Sequence, residues 1–250
     1  MSALKTIRYR DLSLTAIPSG GTLVTACDSC GSIGSKPDDL LQIPAYYSGR
    51  FTARVPILEV LSCGAEPIAV VNTVSCEMEP TGREIIRGVQ DELRSAGIDP
   101  DTLTGSTEEN FPSKMTALGI TVVGYLSGEP NWQETCPGDL VYCIGKPKVG
   151  SEVGLDCDPD LASYDDLKRL KEISGVKEII PTGSKGIRYE VDWAARKAHL
   201  RFHSEETCAI NLEISTGPAA CLVVIASPST APQLESMPRC SRIGVMISLG

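Results

Sequence analysis

The sequence has no run approaching the ~20 consecutive apolar residues that a membrane-spanning helix requires. Its first residues, Met1-Ser-Ala-Leu-Lys-Thr-Ile-Arg8, lack the apolar region and small-residue cleavage site of a secretory signal. A cytoplasmic protein is therefore expected. Positive charge is in deficit, with 23 Lys and Arg against 32 Asp and Glu and a net charge of −9. That balance argues against a nucleic-acid backbone or a membrane surface as the main partner. An acidic chain can still bind phosphates when a divalent cation sits between them. No glycine-rich loop ends in Gly-Lys-Ser/Thr, which excludes a Walker A phosphate loop. A second Cys-x-x-Cys pair to join Cys27-Asp-Ser-Cys30 is also missing, so the usual ligand set of a structural zinc site is incomplete.

What is present suits one large domain or two ordinary ones. The chain has 250 residues and 42% hydrophobic content, enough for a real core, with no disordered or repetitive tract. Its ten cysteines are irregularly spaced. In a reducing cell they read mostly as small buried apolar residues rather than a disulfide framework.

The chain is organised around Thr104-Gly-Ser-Thr-Glu-Glu-Asn110 and the strand-like run from Met115 to Leu126, rich in Thr, Val and Ile. Thr104-Gly-Ser-Thr107 reads as a small-residue turn whose backbone N–H groups can approach a ligand. Glu108 and Glu109 follow it directly. Acids on such a turn can hold a metal-bound phosphate against a sheet, and they can equally form a solvated acidic loop.

Upstream, Thr22-Leu-Val-Thr-Ala26 reads as a strand ending at Asp28. Gly31-Ser-Ile-Gly-Ser-Lys-Pro-Asp-Asp39 reads as a phosphate-approach loop or a polar surface turn. Residues 49–65 carry a helical stripe of Val55, Leu58 and Leu61, in which Pro56 should start or kink the helix. Glu59 lies within it, and a buried carboxylate there needs a partner or a metal unless it faces solvent. Residues 67–76 read as a buried strand. Thr81-Gly-Arg-Glu84 reads as a capping box before a helix with Ile86, Val89 and Leu93 at helical spacing. Residues 139–145 form a further strand.

The order is that of an α+β or α/β layer with helices on one face. A domain boundary is expected in the Lys-, Pro-, Gly- and Asp-rich stretch 146–159, dividing the chain into 1–145 and 146–250. The second half reads as a helix from about Ser163 with Leu167, Leu170 and Ile173 on one side, and a strand ending at Thr182. The turn Gly183-Ser-Lys-Gly186 then leads into a helix over 187–198. Strands follow near 210–214, 221–226 and 243–249. His199 and His203 share a strand face with no evident third metal ligand, and a structural role is expected for both.

Four stretches in order resemble the superfamily of aminoimidazole ribonucleotide (AIR) synthase, selenophosphate synthetase and thiamine-monophosphate kinase. They are Thr25-Ala-Cys-Asp-Ser29, the helix through Glu59 to Ser62-Cys-Gly-Ala-Glu-Pro67, Gly105-Ser-Thr107 with Thr116-Ala-Leu-Gly-Ile-Thr-Val-Val-Gly124, and Pro137-Gly-Asp139 through Gly145. The chain also departs from the family pattern. Ser106 stands where the family has an acid, Glu59 replaces an Asp, and Thr182-Gly-Ser-Lys-Gly186 replaces an Asp-rich turn. These departures resemble the divergent branch that contains α-ribazole kinase, an enzyme of cobalamin lower-ligand salvage.

That resemblance implies an α+β protein of two α/β sandwich-like halves, an N-terminal ATP-binding and dimerisation domain and a C-terminal α/β domain. The N-terminal sheet would pair across a homodimer. It also implies an ATP- and Mg²⁺-dependent transfer of phosphate to the 5′-hydroxyl of α-ribazole. Asp28, Glu59 and Glu108 are the implied metal ligands, and Asp28, Glu108 and Glu109 the implied catalytic acids. Gly31, Ser32, Gly34, Ser35, Lys36, Gly105, Ser106, Thr107 and Lys185 are the implied nucleotide contacts. Another small-molecule kinase of the same superfamily, thiamine-monophosphate kinase-like, and a non-catalytic nucleotide-binding protein are the alternatives.

Overall fold

A computed structural model describes residues 5–128, 130, 132–206 and 208–249. The chain divides into two compact units, Met1–Pro130 and Asn131–Gly250.

The first unit opens with β1 (Thr6–Tyr9), β2 (Leu12–Ala16) and β3 (Thr22–Gly31), followed by the short parallel pair β4 (Ile33–Gly34) and β5 (Leu41–Gln42). Helix α1 (Ala45–Ser62), β6 (Glu66–Val74), a wide helical turn at Met78–Gly82, α2 (Arg83–Ser95), β7 (Leu103–Thr107) and β8 (Ala117–Leu126) complete it. Six strands form one sheet in the order β1-β2-β3-β8-β6-β7. Alternation along β3 and β8 buries Val24, Ala26, Ile120 and Val122 on the face covered by α1. Helix α2 packs on α1 at a crossing that only glycine permits. A Cβ on Gly88 would lie 1.9 Å from the Tyr46 carbonyl oxygen, and one on Gly49 would lie 2.1 Å from that of Ile85.

The second unit holds β9 (Leu140–Ile144), α3 (Tyr164–Glu172), β10 (Val176–Pro181), α4 (Gly186–Lys197), β11 (Leu200–Ser204), β12 (Leu222–Ala226), α5 (Ala231–Glu235) and β13 (Cys240–Ser248). Its five-stranded antiparallel sheet runs β10-β12-β9-β13-β11. Val141, Cys143, Val223, Ile225 and Ile243 from the sheet pack with Ile187 and Val191 of α4 in its core. Strand β9, read from sequence as the end of the first half, lies at the centre of this sheet. Ser163 caps α3 in a reciprocal box with Asp166.

Several local expectations are corrected. Thr104-Gly-Ser-Thr107 is not a turn but the edge strand β7, paired in parallel with β6. Gly105 is required by close approach to β6 rather than by a tight turn: a Cβ on it would sit 2.1 Å from the Asn72 carbonyl oxygen. Thr81 makes no capping box, because its hydroxyl donates to the Glu77 carboxylate instead. Ile85, Val89 and Leu93 form the buried row of α2, and Ile86 is only half-buried.

Pro56 does not start α1 but lies inside it, which leaves only the kink of the two expected roles. Residues 210–214 are not a strand. Asn211 accepts the Glu213 N–H in a local turn, and the Leu212 carbonyl is taken by the Arg188 N–H of α4. Strands β1 and β2 were not anticipated, because a short hairpin with three exposed residues in β1 gives little hydrophobic alternation.

Candidate functional site

The site lies in the first unit, on the helix-covered face of the six-stranded sheet. Strand register places four residues in one row across that sheet. Asp28 of β3 pairs with Ile120 of β8, Ile120 with Asn72 of β6, and Asn72 with Gly105 of β7. With strands roughly 4.8 Å apart, Asp28 and Asn72 are about 10 Å from each other along the row.

At the β7 end is a cavity of about 340 Å³ between β6, β7 and α2. Val74, Met78, Ile86 and Leu103 give it apolar walls, and the backbone and side chains of residues 104–107 close one side. Asn72 and Gln90 supply amides. Asn72 is 2% exposed and its Oδ1 has no hydrogen-bond partner. An orphaned buried amide oxygen is costly and marks a place where a ligand donor would be gained.

Loop 31–42 lies at the Asp28 end. Its conformation is held by the buried Asp39, whose carboxylate accepts the Thr116 N–H (2.7 Å), the Thr116 hydroxyl (2.7 Å) and the Lys36 N–H (2.8 Å). Gly34 is required there, since a Cβ would lie 2.2 Å from Thr116 Oγ1. Ser32 sits at φ +60°, with its hydroxyl 3.2 Å from Met115 Sδ, while Gly31 and Ser35 are exposed. Lys36 Nζ is paired with Glu77 Oε2 at 2.7 Å.

The expected acids differ in how far their charge is already compensated. Glu59 is buried in a two-pronged pair with Arg10 at 3.2 and 3.3 Å, so it neither faces solvent nor offers a free carboxylate. Glu108 Oε1 accepts the N–H groups of Asn110 (2.6 Å) and Phe111 (3.3 Å) in its own loop. Glu109 Oε1 accepts the Met78 N–H at 2.8 Å and the Thr107 hydroxyl at 2.7 Å.

Asp28 has no cationic partner among the described residues. Burial raises its carboxyl above the usual 3.8, the Ser29 N–H partly offsets this, and the Asp11 carboxylate raises it again. A desolvated acid near a second acid is the donor chemistry a hard divalent cation relieves. Among the described residues no cluster of three or more His, Cys, Asp or Glu could hold a metal ion. A Mg²⁺ ion here fits only as one held by Asp28 together with ligand phosphates and water.

The cysteine pair and one expected contact, Lys185, lie apart from this row. Cys27 and Cys30, three residues apart on β3, fall on opposite faces of the strand. Lys185 lies in the second unit, immediately before α4, with Nζ 4.3 Å from the Tyr189 ring centre. Asn72, Gln90 and Glu77 were missed from sequence. Only Asn72 left a signal there, as a lone amide inside the Val- and Ala-rich run of β6.

A comparison with curated protein sequences finds no match. Solved structures do resemble the chain. Thiamine-monophosphate kinase from Stenotrophomonas maltophilia is 15% identical, with 99% of this chain and 90% of that one covered at a TM-score of 0.66. The hydrogenase maturation protein HypE of E. coli is 17% identical, with 92% and 81% covered at 0.67. AaThiL, complexed with AMPPCP and TMP, is 12% identical, with 96% and 85% covered at 0.66. Residues 9–126 match the family described as AIR synthase related protein, N-terminal domain. The match of residues 9–126 falls within the first unit, and the chain as a whole carries the AIR synthase-like fold.

Proposed function

We propose that this protein is an ATP-dependent kinase that phosphorylates the 5′-hydroxyl of α-ribazole. The observation that carries the reading is Asp28. It is a desolvated carboxylate without a cationic partner among the described residues, in register across the sheet with the cavity residues Asn72 and Gly105. One end of the row offers a cavity of ligand size, and the other offers an acid suited to metal-bound phosphate. AaThiL, which shares the fold, is complexed with the ATP analogue AMPPCP.

Phosphoryl transfer asks a protein mainly for positioning and charge neutralisation. Mg²⁺, when bound, would neutralise phosphate charge, with Asp28 as its protein ligand. Lys36 would exchange Glu77 for a phosphate oxygen, and loop 31–42, braced by Asp39, would fix where that lysine reaches. Gly105, Ser106 and Thr107 would contact the nucleotide along β7. Glu109, beside the cavity rim, is the acid best placed to orient an acceptor hydroxyl.

The protein would act as a homodimer joined through the sheet face away from α1. Thr25, Val123 and Ala69 are in register across that face and only half-buried in the single chain. Thiamine-monophosphate kinase-like activity is the second reading, favoured by the coverage of both thiamine-monophosphate kinase structures.

The test is ATP consumption with a panel of acceptors: α-ribazole, thiamine monophosphate, common nucleosides and none. Consumption stimulated by α-ribazole supports the first reading, and stimulation by thiamine monophosphate alone supports the second. Nucleotide binding without consumption supports a non-catalytic protein.

A further inference from the structure

Glu59 is a metal ligand by resemblance, yet the fold gives its carboxylate a cation of the protein's own. The residue lies in α1 between Leu58 and Val60, both fully buried. A carboxylate so placed is costly unless a cation and hydrogen bonds accompany it. Arg10 supplies both, with Nη1 at 3.3 Å from Oε2 and Nη2 at 3.2 Å from Oε1. The two side chains are 5% and 6% exposed, so neither charge is left to water.

The backbone at Arg10 shows that its side chain is what the position requires. Arg10 turns the chain between β1 and β2 at φ +51°, a left-handed conformation that favours glycine or asparagine. Strain of this kind persists where surrounding contacts over-determine it, and here those contacts include both bonds to Glu59.

The turn also borders Asp28. Ser13 of β2 pairs with Thr25 of β3, and the same register carried two residues towards the turn brings Asp11 opposite Cys27. Arg10 Nη2 lies 3.9 Å from Asp11 Oδ2. One guanidinium therefore links the buried acid of α1 to the corner of the sheet that holds Asp28.

A guanidinium and a divalent ion behave differently beside a carboxylate. The ion keeps positions for water and phosphate oxygens, and it exchanges. Arginine offers N–H donors in a fixed fork, stays singly charged and cannot leave. Glu59 fits the arginine and not the ion.

We infer that Arg10 is a built-in cation that takes a metal ion's place at Glu59, leaving Asp28 as the ligand for an exchangeable one. The inference rests on the proposed Mg²⁺-dependent reading and removes Glu59 from the expected ligand set. Its test needs no turnover.

Thermal unfolding of the full-length protein is followed by circular dichroism in EDTA and in excess Mn²⁺ at matched ionic strength. Arg10→Gly removes the guanidinium and suits the left-handed backbone. Its midpoint should fall in EDTA and regain at least half of that loss in Mn²⁺, a larger response than the wild type shows. Adding Glu59→Gln to Arg10→Gly should abolish the recovery, which places the regained ion on Glu59. Glu59→Gln alone should leave the wild-type response to Mn²⁺ unchanged. Should Arg10→Gly not fold in EDTA, refolding with Mn²⁺ is read instead, recovery supporting the inference and none overturning it.

An Arg10→Gly midpoint that ignores Mn²⁺ makes the pair an ordinary salt bridge and overturns the inference, as does a recovery that survives in the double variant. A wild-type response to Mn²⁺ that Glu59→Gln abolishes also overturns it, because Glu59 would then hold the metal. ATP consumption with α-ribazole is measured separately on the wild type. No consumption fails the kinase reading and leaves the Arg10 assignment standing. Consumption beside a Mn²⁺-indifferent Arg10→Gly fails the assignment alone.

Discussion

Lys36 Nζ lies 2.7 Å from Glu77 Oε2, which ties the loop after β3 to the segment between β6 and α2. The two segments are 41 residues apart in sequence. Burial pushes the Glu77 carboxyl up, but the hydrogen bonds from Lys36 and Thr81 outweigh it and hold the group below its usual range. In the proposed kinase the lysine leaves this acid for a phosphate. Lys36→Met should therefore lower kcat/KM for ATP by ~10² or more, the scale of losing one charge-stabilising donor. Retention of near wild-type kcat/KM would place Lys36 in a purely structural pair.

The same pair predicts a pH effect on stability. The Glu77 carboxyl is depressed in the fold, so its contribution is fully present above its unfolded value and is lost as pH falls through the folded one. Glu77→Gln should flatten the acid limb of a denaturant-unfolding series below about pH 4.5. An unchanged acid limb would show that this carboxylate is not linked to folding.

Asp28 has the opposite sign. Its carboxyl is raised from 3.8, so the folded state holds the proton more tightly than the unfolded chain. Stability then falls as pH rises through the window above 3.8, and the charged acid is a burden at neutral pH. Asp28→Asn should raise the urea midpoint at pH 7, with the gain disappearing below pH 3.8. It should also reduce turnover by ~10² or more, because stabilisation at the expense of activity is the signature of a strained functional group. A variant that is both less stable and fully active would remove Asp28 from the site.

The sequence showed the fold where packing is local and periodic, and lost it where partners are distant. The stripes of α2, α3 and α4 and the alternation of β3 and β8 are visible because each buries one face of its own element. Strand β7 is invisible because its Gly105 is required by the approach of β6, more than thirty positions away.

For the same reason the site was only half legible. Asp28 was singled out as the end of a strand that resembles the family pattern, and Lys36 by its glycine-rich loop. The neutral cavity, the pairing of Glu59 with Arg10 and the orphaned Asn72 depend on tertiary contacts that spacing does not encode.

Glu108 and Glu109 are adjacent, yet their bonds separate them. Glu108→Ala should expose the Asn110 and Phe111 amides, which Oε1 now holds, and speed their hydrogen exchange. Glu109→Gln keeps the shape but removes charge beside Thr107 and Met78, and should lower turnover more than Glu108→Gln does. Equal turnover in both Gln variants and the wild type would exclude this pair of acids from the chemistry.

The dimer can be tested without activity. Light scattering at micromolar concentration should give about twice the 26.6 kDa chain mass, as expected for an obligate interface. Val123→Lys, which puts a charge into the half-buried outer row, should give the mass of one chain. An active wild-type monomer would leave the outer sheet face without a partner copy.

The central claim is that this scaffold moves the γ-phosphate of ATP to the 5′-oxygen of a nucleoside. The most direct measurement is phosphorus NMR, with mass spectrometry, on the products formed from ATP, Mg²⁺ and α-ribazole. The account predicts one ADP per α-ribazole 5′-phosphate, with formation dependent on the protein and sharply reduced in Asp28→Asn. ATP that stays intact with α-ribazole and every other nucleoside, or that yields ADP and free phosphate with no phosphorylated acceptor, would contradict it.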